Sequence, residues 1–342
     1  MSDLVLQSRL ISYRISPRLL VVNFLLLGVL GAAFTAGLVG GTYPISSADI
    51  MAAFLGEADG VVSMIVLENR LPRLLTAIGV GMAFGLAGEM TQTLLRNPLA
   101  SPDVIGFTSG AGLGAVLTVA VSATTVYVLP GALVGGALTA LLLFAITAKQ
   151  DFTPGVLILV GIALTATLGV MTDLLLTRLD PNDTAELIKW IVGTLSARDW
   201  GDVALVWLGL ALLFPLALWH QFSLSRLSLA DDVATALGQR VPRARLLTLS
   251  LAVVLVGLAV AAAGPLPFVA FVAGPIAHGL NGAQRPTLLS AGLVGALVAL
   301  LADKIAQSLP GFFSLPAGVF TALIGAPVLI WILIAQSRRG RL

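Results

Sequence analysis

The sequence predicts an all-α, polytopic membrane protein with ten transmembrane helices and both termini in the cytoplasm. Of its 342 residues, 58% are hydrophobic and 11% are charged, and this charged fraction is about half that of a typical soluble domain. Several apolar runs of roughly 17–22 residues are each long enough to cross about 30 Å of hydrocarbon. An outer-membrane β-barrel would instead show short segments of alternating polarity.

The ten expected spans follow the apolar runs along the chain. Their approximate bounds are 19–40, 74–91, 107–121, 127–148, 155–176, 203–219, 246–263, a short span ending near 280, 287–307 and 319–335. We expect three regions: a cytoplasmic segment 1–18, a transmembrane domain 19–337 and a basic cytoplasmic tail 338–342. Gly81 and Gly85 form a small-xxx-small pattern that predicts close helix contact in the second span. A short amphipathic helix is expected at Ser47–Leu55, ended by Gly56.

The distribution of basic residues predicts the orientation. With ten spans both termini share one side, and that side holds thirteen of the 19 Lys and Arg residues. Basic residues favour the cytoplasm, so we assign that side to it. The thirteen are Arg9, Arg14, Arg18, Arg96, Lys149, Arg226, Arg240, Arg243, Arg245, Arg285, Arg338, Arg339 and Arg341. The first apolar run exceeds the core of a typical signal peptide, so a retained first span is expected.

The composition argues against several classes of active site. There are no cysteines and two histidines, so we expect no metal site of the usual His/Cys kind. The sequence lacks a phosphate-binding loop, a nucleophile elbow and an H-E-x-x-H pair, and we predict no catalytic residues. The spans carry few ionisable residues, which disfavours a proton-coupled secondary transporter. A secondary transporter and a membrane enzyme remain as alternatives, and any energy source should reside on another chain.

The polar stretch 223–245 predicts a small cytoplasmic helix with a signal at each end. Ser228 and Asp231 form the S-x-x-D pattern of a capping box. Asp231 and Asp232 place negative charge in the first turn, where the helix dipole favours it. Gly238 suits the left-handed position that ends a helix, and Pro242 prevents continuation. These signals predict a helix of about nine residues.

One face of this small helix is apolar. Val233, Ala236 and Leu237 follow the i, i+3, i+4 spacing that places side chains on one side of a helix. A helix this short is marginal by itself in water, so the apolar face needs a surface on which to pack. That surface is either a partner protein or the membrane.

Several short motifs follow one another along the chain. They are R-L-P-R at 70–73, L-R-N-P-L-A-S-P-D at 95–103 followed by S-G-A at 109–111, G-I-A-L at 161–164, W-I-V-G-T-L at 190–195, A-D-D at 230–232 with A-L-G at 236–238, A-G-P at 263–265, L-P-A-G-V at 315–319 and L-I-G-A-P at 323–327. Together they resemble the permease subunits of ABC importers for iron-siderophores, haem and cobalamin. The segment 230–238 is more similar to the siderophore branch.

Two positions depart from the family pattern. The family commonly reads A-P-H-I-A-R after the seventh span, whereas this chain reads A-G-P-I-A-H at 273–278. No role is therefore assigned to His278 or to the Gly274–Pro275 change. Gln307 stands where some relatives carry a docking arginine, and Lys304, one turn earlier, is the candidate substitute.

The resemblance implies a type II ABC importer permease in the bacterial inner membrane. Its expected partners are a second permease subunit, two copies of a cytoplasmic ATPase and an extracytoplasmic substrate-binding protein, with no nucleic acid. A permease heterodimer is favoured over a homodimer. ATP and Mg²⁺ would bind the ATPase, and no cofactor is expected in this chain. The implied cargo is a ferric siderophore, with haem or cobalamin as alternatives.

The resemblance also suggests roles for individual residues. The small helix becomes the ATPase-coupling helix, with Ser228, Asp231, Asp232, Val233, Ala236, Leu237 and Gly238. Binding-protein docking is expected at Arg70, Arg73 and Lys304. The translocation path or gate is expected at Thr153, Pro154, Thr165 and Thr172. The signature turn before the third span comprises Asn97, Pro98, Pro102 and Asp103.

Overall fold

The computed structural model describes residues 4–7, 12–41, 43–122, 124, 127–282, 286–308 and 315–337. Within these residues the protein is a bundle of helices preceded by one short β-hairpin. Seven helices are long and apolar enough to cross a membrane, and three shorter apolar helices accompany them. These helices lie where the apolar runs predict spans. The basic tail 338–342, Arg9 and Arg285 lie outside the described residues.

Ten helices make up the bundle. They are α1 (Pro17–Val39), α4 (Leu71–Leu95), α5 (Phe107–Ser122), α6 (Val128–Thr147), α7 (Pro154–Leu176), α9 (Trp200–Leu227), α11 (Val241–Ala263), α12 (Val269–Asn281), α13 (Leu288–Ser308) and α14 (Ala317–Ser337). The remaining α-helices are α2 (Ser47–Leu55), α3 (Gly60–Ser63), α8 (Pro181–Val192) and α10 (Asp231–Ala236). Strands β1 (Leu4–Gln7) and β2 (Ser12–Ile15) pair antiparallel, with Leu4 opposite Ile15.

The expected helix between the first two spans is confirmed. The Ser46 hydroxyl accepts a hydrogen bond from the Asp49 backbone N–H at 3.1 Å, which caps the start of α2. Gly56 ends the helix with a φ of 77°, a left-handed conformation that glycine adopts without a Cβ clash.

The second span is longer than its apolar run predicts. Helical backbone continues from Gly60 to Leu95 through α3, a π-helical segment Met64–Arg70 and α4. The charged residues before the span are therefore helical rather than a loop. The Leu71 N–H donates to the Val66 carbonyl five residues earlier, and Pro72, the next residue, has no N–H to donate to the Leu67 carbonyl. The Trp200 indole donates to the Leu67 carbonyl at 3.1 Å and satisfies one backbone acceptor of the π segment.

Helix α4 is the central element of the bundle. It is buried along most of its length and packs against α9, α11, α12 and α13. A Cβ added to Gly81 would collide with the Gly295 backbone, and one added to Gly85 would collide with Ala291. The close contact predicted from these two glycines is therefore confirmed, and its partner is α13.

The two ends of the bundle are defined by α4. Its first turn lies beside the end of α1, on the side that carries α2, and its last residue lies beside α10. We call these the α2 end and the α10 end. Most buried apolar residues form one large core, but the α10 end has a separate small core. This second core, which we call the α10 core, includes Leu95, Phe152, Leu227, Ala234, Val241 and Ala244.

Candidate functional site at the α10 end

Helix α10 is shorter than predicted and begins differently. It spans six residues, Asp231–Ala236, and its N-cap is Ala230, which has no side-chain capping bond. The predicted capping box is wrong because Ser228 ends α9 instead, where its hydroxyl donates to the Ser225 carbonyl at 2.8 Å. The predicted stop is confirmed, since Gly238 has a φ of 78°.

The apolar face of α10 points away from the protein. Val233 is 47% exposed, Leu237 is 55% exposed, and Ala236 is exposed as well. Ala234 makes the inward contact and is fully buried in the α10 core. The helix is thus anchored by one small residue and presents its larger apolar side chains outward.

Asp231 connects α10 to two other parts of the bundle. Its Oδ1 accepts a hydrogen bond from Arg96 Nη2 at 2.5 Å. Arg245 Nη2 donates to both carboxylate oxygens, at 2.9 Å to Oδ1 and 2.7 Å to Oδ2. Partial burial raises the pKa of the Asp231 carboxyl, but the hydrogen bonds and charges of Arg96 and Arg245 outweigh it, and the net pKa lies below its ordinary value. The carboxylate is therefore charged at neutral pH.

Both arginines also bind backbone carbonyls. Arg96 Nε donates to the carbonyl of Leu227, the last residue of α9, at 2.9 Å. Arg245 Nη1 donates to the carbonyl of Asp151 at 3.2 Å. Arg245 is 3% exposed, so this guanidinium is held inside the protein. The three charged side chains join α4, α9, α10, α11 and the turn before α7.

The turn before α7 contains the predicted gate residues Thr153 and Pro154. Asp151 and Phe152, which precede them, both have left-handed backbone conformations, with φ of 51° and 53°. Phe152 is buried and packs edge-on against Phe144. The Thr153 hydroxyl donates to the Gln150 carbonyl at 2.5 Å, and Pro154 begins α7. The turn is ordered by these contacts and by Arg245.

The signature turn folds as its sequence predicts. Asn97 Oδ1 accepts from the Leu99 N–H at 2.9 Å, which closes a side-chain turn around the exposed Pro98. Pro102 begins a short 3₁₀ helix, Pro102–Ile105. Asp103 Oδ1 accepts from the Thr108 hydroxyl at 2.6 Å. Burial raises the pKa of the Asp103 carboxyl, and hydrogen bonds from the Thr108 and Ser101 hydroxyls only partly offset this.

The two α7 threonines make contacts within the chain. Thr165 Oγ1 donates to the Asp103 carbonyl at 3.3 Å and so joins α7 to the signature turn. Thr172 is buried, and its hydroxyl donates to the Leu168 carbonyl one turn earlier at 2.8 Å. Burial of Thr172 does not fit a side chain that faces an open path, whereas half-buried Thr165 leaves that role possible.

At the α2 end, the three predicted docking cations bind the protein itself. Arg73 forms a bidentate pair with the fully buried Asp303, at 2.8 Å from Nε to Oδ2 and 2.7 Å from Nη2 to Oδ1. Arg70 donates to the carbonyls of Leu38, at 2.5 Å, and Tyr43. Lys304 Nζ lies 3.5 Å from the Ala36 carbonyl. Arg70 and Lys304 thus place positive charge at the end of α1, which the helix dipole favours.

Gln307 also has a contact that explains its position. Its Nε2 donates to Asp303 Oδ2 at 2.7 Å, from one turn along α13. Gln307 therefore donates to the buried Asp303. Its amide is neutral, so it does not replace the charge of a docking arginine.

The described part of the chain contains no cluster of side chains that could bind a metal ion. No group of three or more His, Asp or Glu side chains there is placed to hold an ion.

Comparison with known proteins identifies the family. Residues 27–335 match the FecCD transport family. The chain belongs to this family. It is 36% identical over 326 residues to FepG, a ferric enterobactin transport system permease protein of Escherichia coli (strain K12), covering 95% of this chain and 99% of FepG.

Two further comparisons support the FecCD assignment. FepD, also a ferric enterobactin transport system permease protein of Escherichia coli (strain K12), is 35% identical over 338 residues, covering 96% of this chain and 99% of FepD. The solved structure of an inward-facing metal-chelate type ABC transporter matches with a TM-score of 0.82 and 28% identity, over 92% of this chain and 99% of that one.

The two positions that depart from the expected pattern, Gly274 and His278, both pack against a buried carboxylate. His278 Nε2 lies 2.9 Å from Oε1 of the fully buried Glu89, which also accepts from the Thr287 N–H at 3.1 Å. Gly274 leaves room for these groups, because a Cβ there would collide with Gln92 Oε1 and Glu89 Oε2. Glu89, Gly274 and His278 are therefore one packed set across α4 and α12.

Sequence reasoning missed the partners Arg96 and Arg245. One signal was available: Arg245 lies in the first turns of α11, where the helix dipole disfavours a cation. A cation in such a place needs an acidic partner. The identity of that partner, Asp231, depends on how α9, α10 and α11 are arranged in space.

Proposed function

We propose that this FecCD-family chain is the permease subunit of an ABC importer that carries a ferric siderophore across the bacterial inner membrane. The observation that carries the proposal is its likeness to FepG along nearly the whole of both chains. The energy source is a separate ATPase, because this sequence has no phosphate-binding loop. ATP and Mg²⁺ bind that subunit, and this chain uses no cofactor of its own.

The proposed topology has ten spans and cytoplasmic termini. The seven long apolar helices and the three shorter ones supply the ten spans. The excess of Lys and Arg on the side of the termini supports the orientation. The α10 end then faces the cytoplasm, and the α2 end faces outward.

The ATPase binds the exposed face of α10 in this proposal. A groove on the ATPase would cover Val233, Ala236 and Leu237, in the manner of an amphipathic helix seated in an apolar groove. Asp232 lies exposed on the same helix and would stand at the rim. Gly238 holds the left-handed stop that lets the chain turn back toward α11.

The binding protein docks at the α2 end in this proposal. The internal contacts of Arg70, Arg73 and Lys304 favour a supporting role, in which they fix the ends of α1, α4 and α13 that form the docking surface. Thr153 and Pro154 remain the proposed gate residues, because they lie at the start of α7, and half-buried Thr165, near the middle of α7, remains the proposed path residue. Burial of Thr172 supports a packing role there instead.

The second permease subunit is a different chain in this proposal. FepG and FepD are two permease proteins of one ferric enterobactin system, and this chain is similar to both. That similarity supports a heterodimer, with a homodimer as the other outcome. Two ATPase copies and one binding protein complete the importer.

Uptake by the reconstituted importer tests the cargo. The chain would be placed in proteoliposomes with its permease partner, ATPase and binding protein, and supplied in turn with ferric siderophores, haem and cobalamin. We expect ATP-dependent accumulation of a ferric siderophore. Accumulation of haem or cobalamin alone would reassign the cargo within the family, and failure with every compound would contradict the substrate class.

A further inference from the structure

Asp231 is the junction between the exposed face of α10 and two strained parts of the backbone. Arg96, which ends α4, has a φ of 49°, and Asp151 has a φ of 51°. Non-glycine residues rarely adopt this conformation and persist in it only when surrounding contacts hold them. Three of the five such residues in the described chain are Arg96, Asp151 and Phe152, and Asp231 reaches the first two through arginine contacts.

The contacts form a continuous chain from α10 to α7. Asp231 binds Arg245, Arg245 binds the Asp151 carbonyl, and the turn from Asp151 leads directly to Pro154, the first residue of α7. A second branch runs from Asp231 through Arg96 to the end of α9. The four side-chain contacts, Asp231–Arg245, Arg245–Asp151, Asp231–Arg96 and Arg96–Leu227, are direct hydrogen bonds, and the two made by Asp231 join opposite charges.

Helix α10, the turn before α7 and the start of α11 also share a small core. Ala234 of α10, Phe152 of the turn and Ala244 beside Arg245 belong to the α10 core, which is separate from the main core of the bundle. A displacement of α10 would therefore reach the turn and Arg245 through packing contacts as well as through hydrogen bonds.

We propose that Asp231, Arg96 and Arg245 form the linkage that transmits ATPase movement from α10 to the turn that starts α7. This inference rests on the proposed function and assigns three positioning residues to it. The ATPase would move α10 through its apolar face. Asp231 would transmit that motion through Arg245 to Asp151, and thus to the beginning of α7. Arg96 would make the ends of α4 and α9 move with α10.

The linkage predicts that Asp231→Asn separates ATP hydrolysis from transport. The control is Glu186→Gln, since Glu186 is an exposed carboxylate on α8, outside the proposed ATPase contact, and makes no ion pair among the described residues. We expect both variants to bind the ATPase and hydrolyse ATP, because the apolar face is unchanged. Uptake per ATP should fall by about tenfold or more in Asp231→Asn only, within the range of allosteric couplings, and Asp231→Glu should restore part of it.

A second pair of variants removes the arginine from inside the protein. Arg245→Met is compared with Arg243→Met, an exposed residue two positions earlier. Arg245 is buried and cannot touch the ATPase directly, so its effect must pass through the permease. In the double variant Asp231→Asn/Arg245→Met, uptake per ATP should fall no further than in the more severe single variant, because both changes break one linkage.

Hydrogen exchange in the isolated permease supplies an independent measurement. The N–H groups of Asp151, Phe152 and Thr153 each bond to a backbone carbonyl in the turn. We expect them to exchange faster in Arg245→Met than in Arg243→Met, and faster in Asp231→Asn than in Glu186→Gln.

The outcomes separate this inference from the proposed function. If the unmodified complex imports substrate but Asp231→Asn and Arg245→Met behave like their controls in uptake per ATP, the linkage is wrong and the function stands. If the unmodified complex shows no ATP-driven uptake, the function is wrong. Hydrogen exchange then decides whether the three residues hold the turn, and equal exchange in variants and controls overturns that as well.

Discussion

Two carboxylates are fully buried in the described bundle, and each has a specific partner. Asp303 binds Arg73 and Gln307, and Glu89 lies against His278. Removing one member of a buried ion pair leaves an uncompensated charge, which is more costly than never having had the pair. These residues therefore fix how the helices that carry them pack together.

Replacement of Arg73 by Ala should destabilise the protein. It leaves the Asp303 carboxylate buried with only Gln307 as a side-chain donor, at a cost of about 3–5 kcal/mol. The midpoint of thermal unfolding in detergent should fall clearly, and Arg73→Ala/Asp303→Leu should recover much of the loss. Asp173→Asn, which alters an exposed carboxylate on α7, is the control. An unchanged midpoint in Arg73→Ala would instead favour a free docking role for this arginine.

Gly274→Ala tests the packed set around Glu89. The added Cβ meets oxygens of Gln92 and Glu89, and both side chains are already committed to hydrogen bonds. Overpacking of this kind costs roughly 1–3 kcal/mol. Gly279→Ala lies on the same helix with open space around its Cβ, and it should be neutral or mildly stabilising. Equal unfolding midpoints for the two variants would contradict the packing.

At the scale of elements, the apolar runs predicted the bundle because a membrane span must be apolar along its length. They underestimated the second span, since the charged turns at its start are satisfied by tertiary contacts such as Arg70 with α1 and Trp200 with Leu67. Helix α8 was also missed. Its signals were present: Asp180 caps it, Pro181 occupies its first position and Gly193 follows its end.

Val233→Asp should weaken ATPase binding without unfolding the permease. Val233 is exposed, so the fold loses little, but the proposed complex would bury a charge in an apolar groove. We expect affinity for the ATPase, measured by co-purification and titration, to fall by at least about tenfold, or roughly 1.4 kcal/mol. Thr235→Asp, on another exposed part of the helix, is the control. If both variants bind as well as the unmodified chain, α10 is a surface segment and not the contact.

At the scale of the whole molecule, the sequence indicated several residues of the site, but it did not indicate which of them contact one another. Asp231 lies 135 residues from Arg96, and Arg73 lies 230 residues from Asp303. Local patterns carry no information about such pairs. Ser228 illustrates the opposite error, because it ends α9 and its hydroxyl bonds back to Ser225 instead of capping α10.

The topology can be mapped by labelling, because the chain has no cysteine of its own. Glu57→Cys at the α2 end and Asp232→Cys at the α10 end are both exposed positions. In intact spheroplasts, a membrane-impermeant maleimide should label the first and not the second. Asp232→Cys should become reactive after permeabilisation. Labelling of Asp232→Cys from outside would reverse the proposed orientation.

The central claim is that transport through this chain is driven by ATP hydrolysis on another subunit. The most direct measurement is ferric siderophore uptake by the reconstituted complex, with either the active ATPase or one whose phosphate-binding lysine is replaced by alanine. The account predicts accumulation with the active ATPase and none above background with the inactive one. Equal uptake with both would show a secondary transporter and would contradict the account.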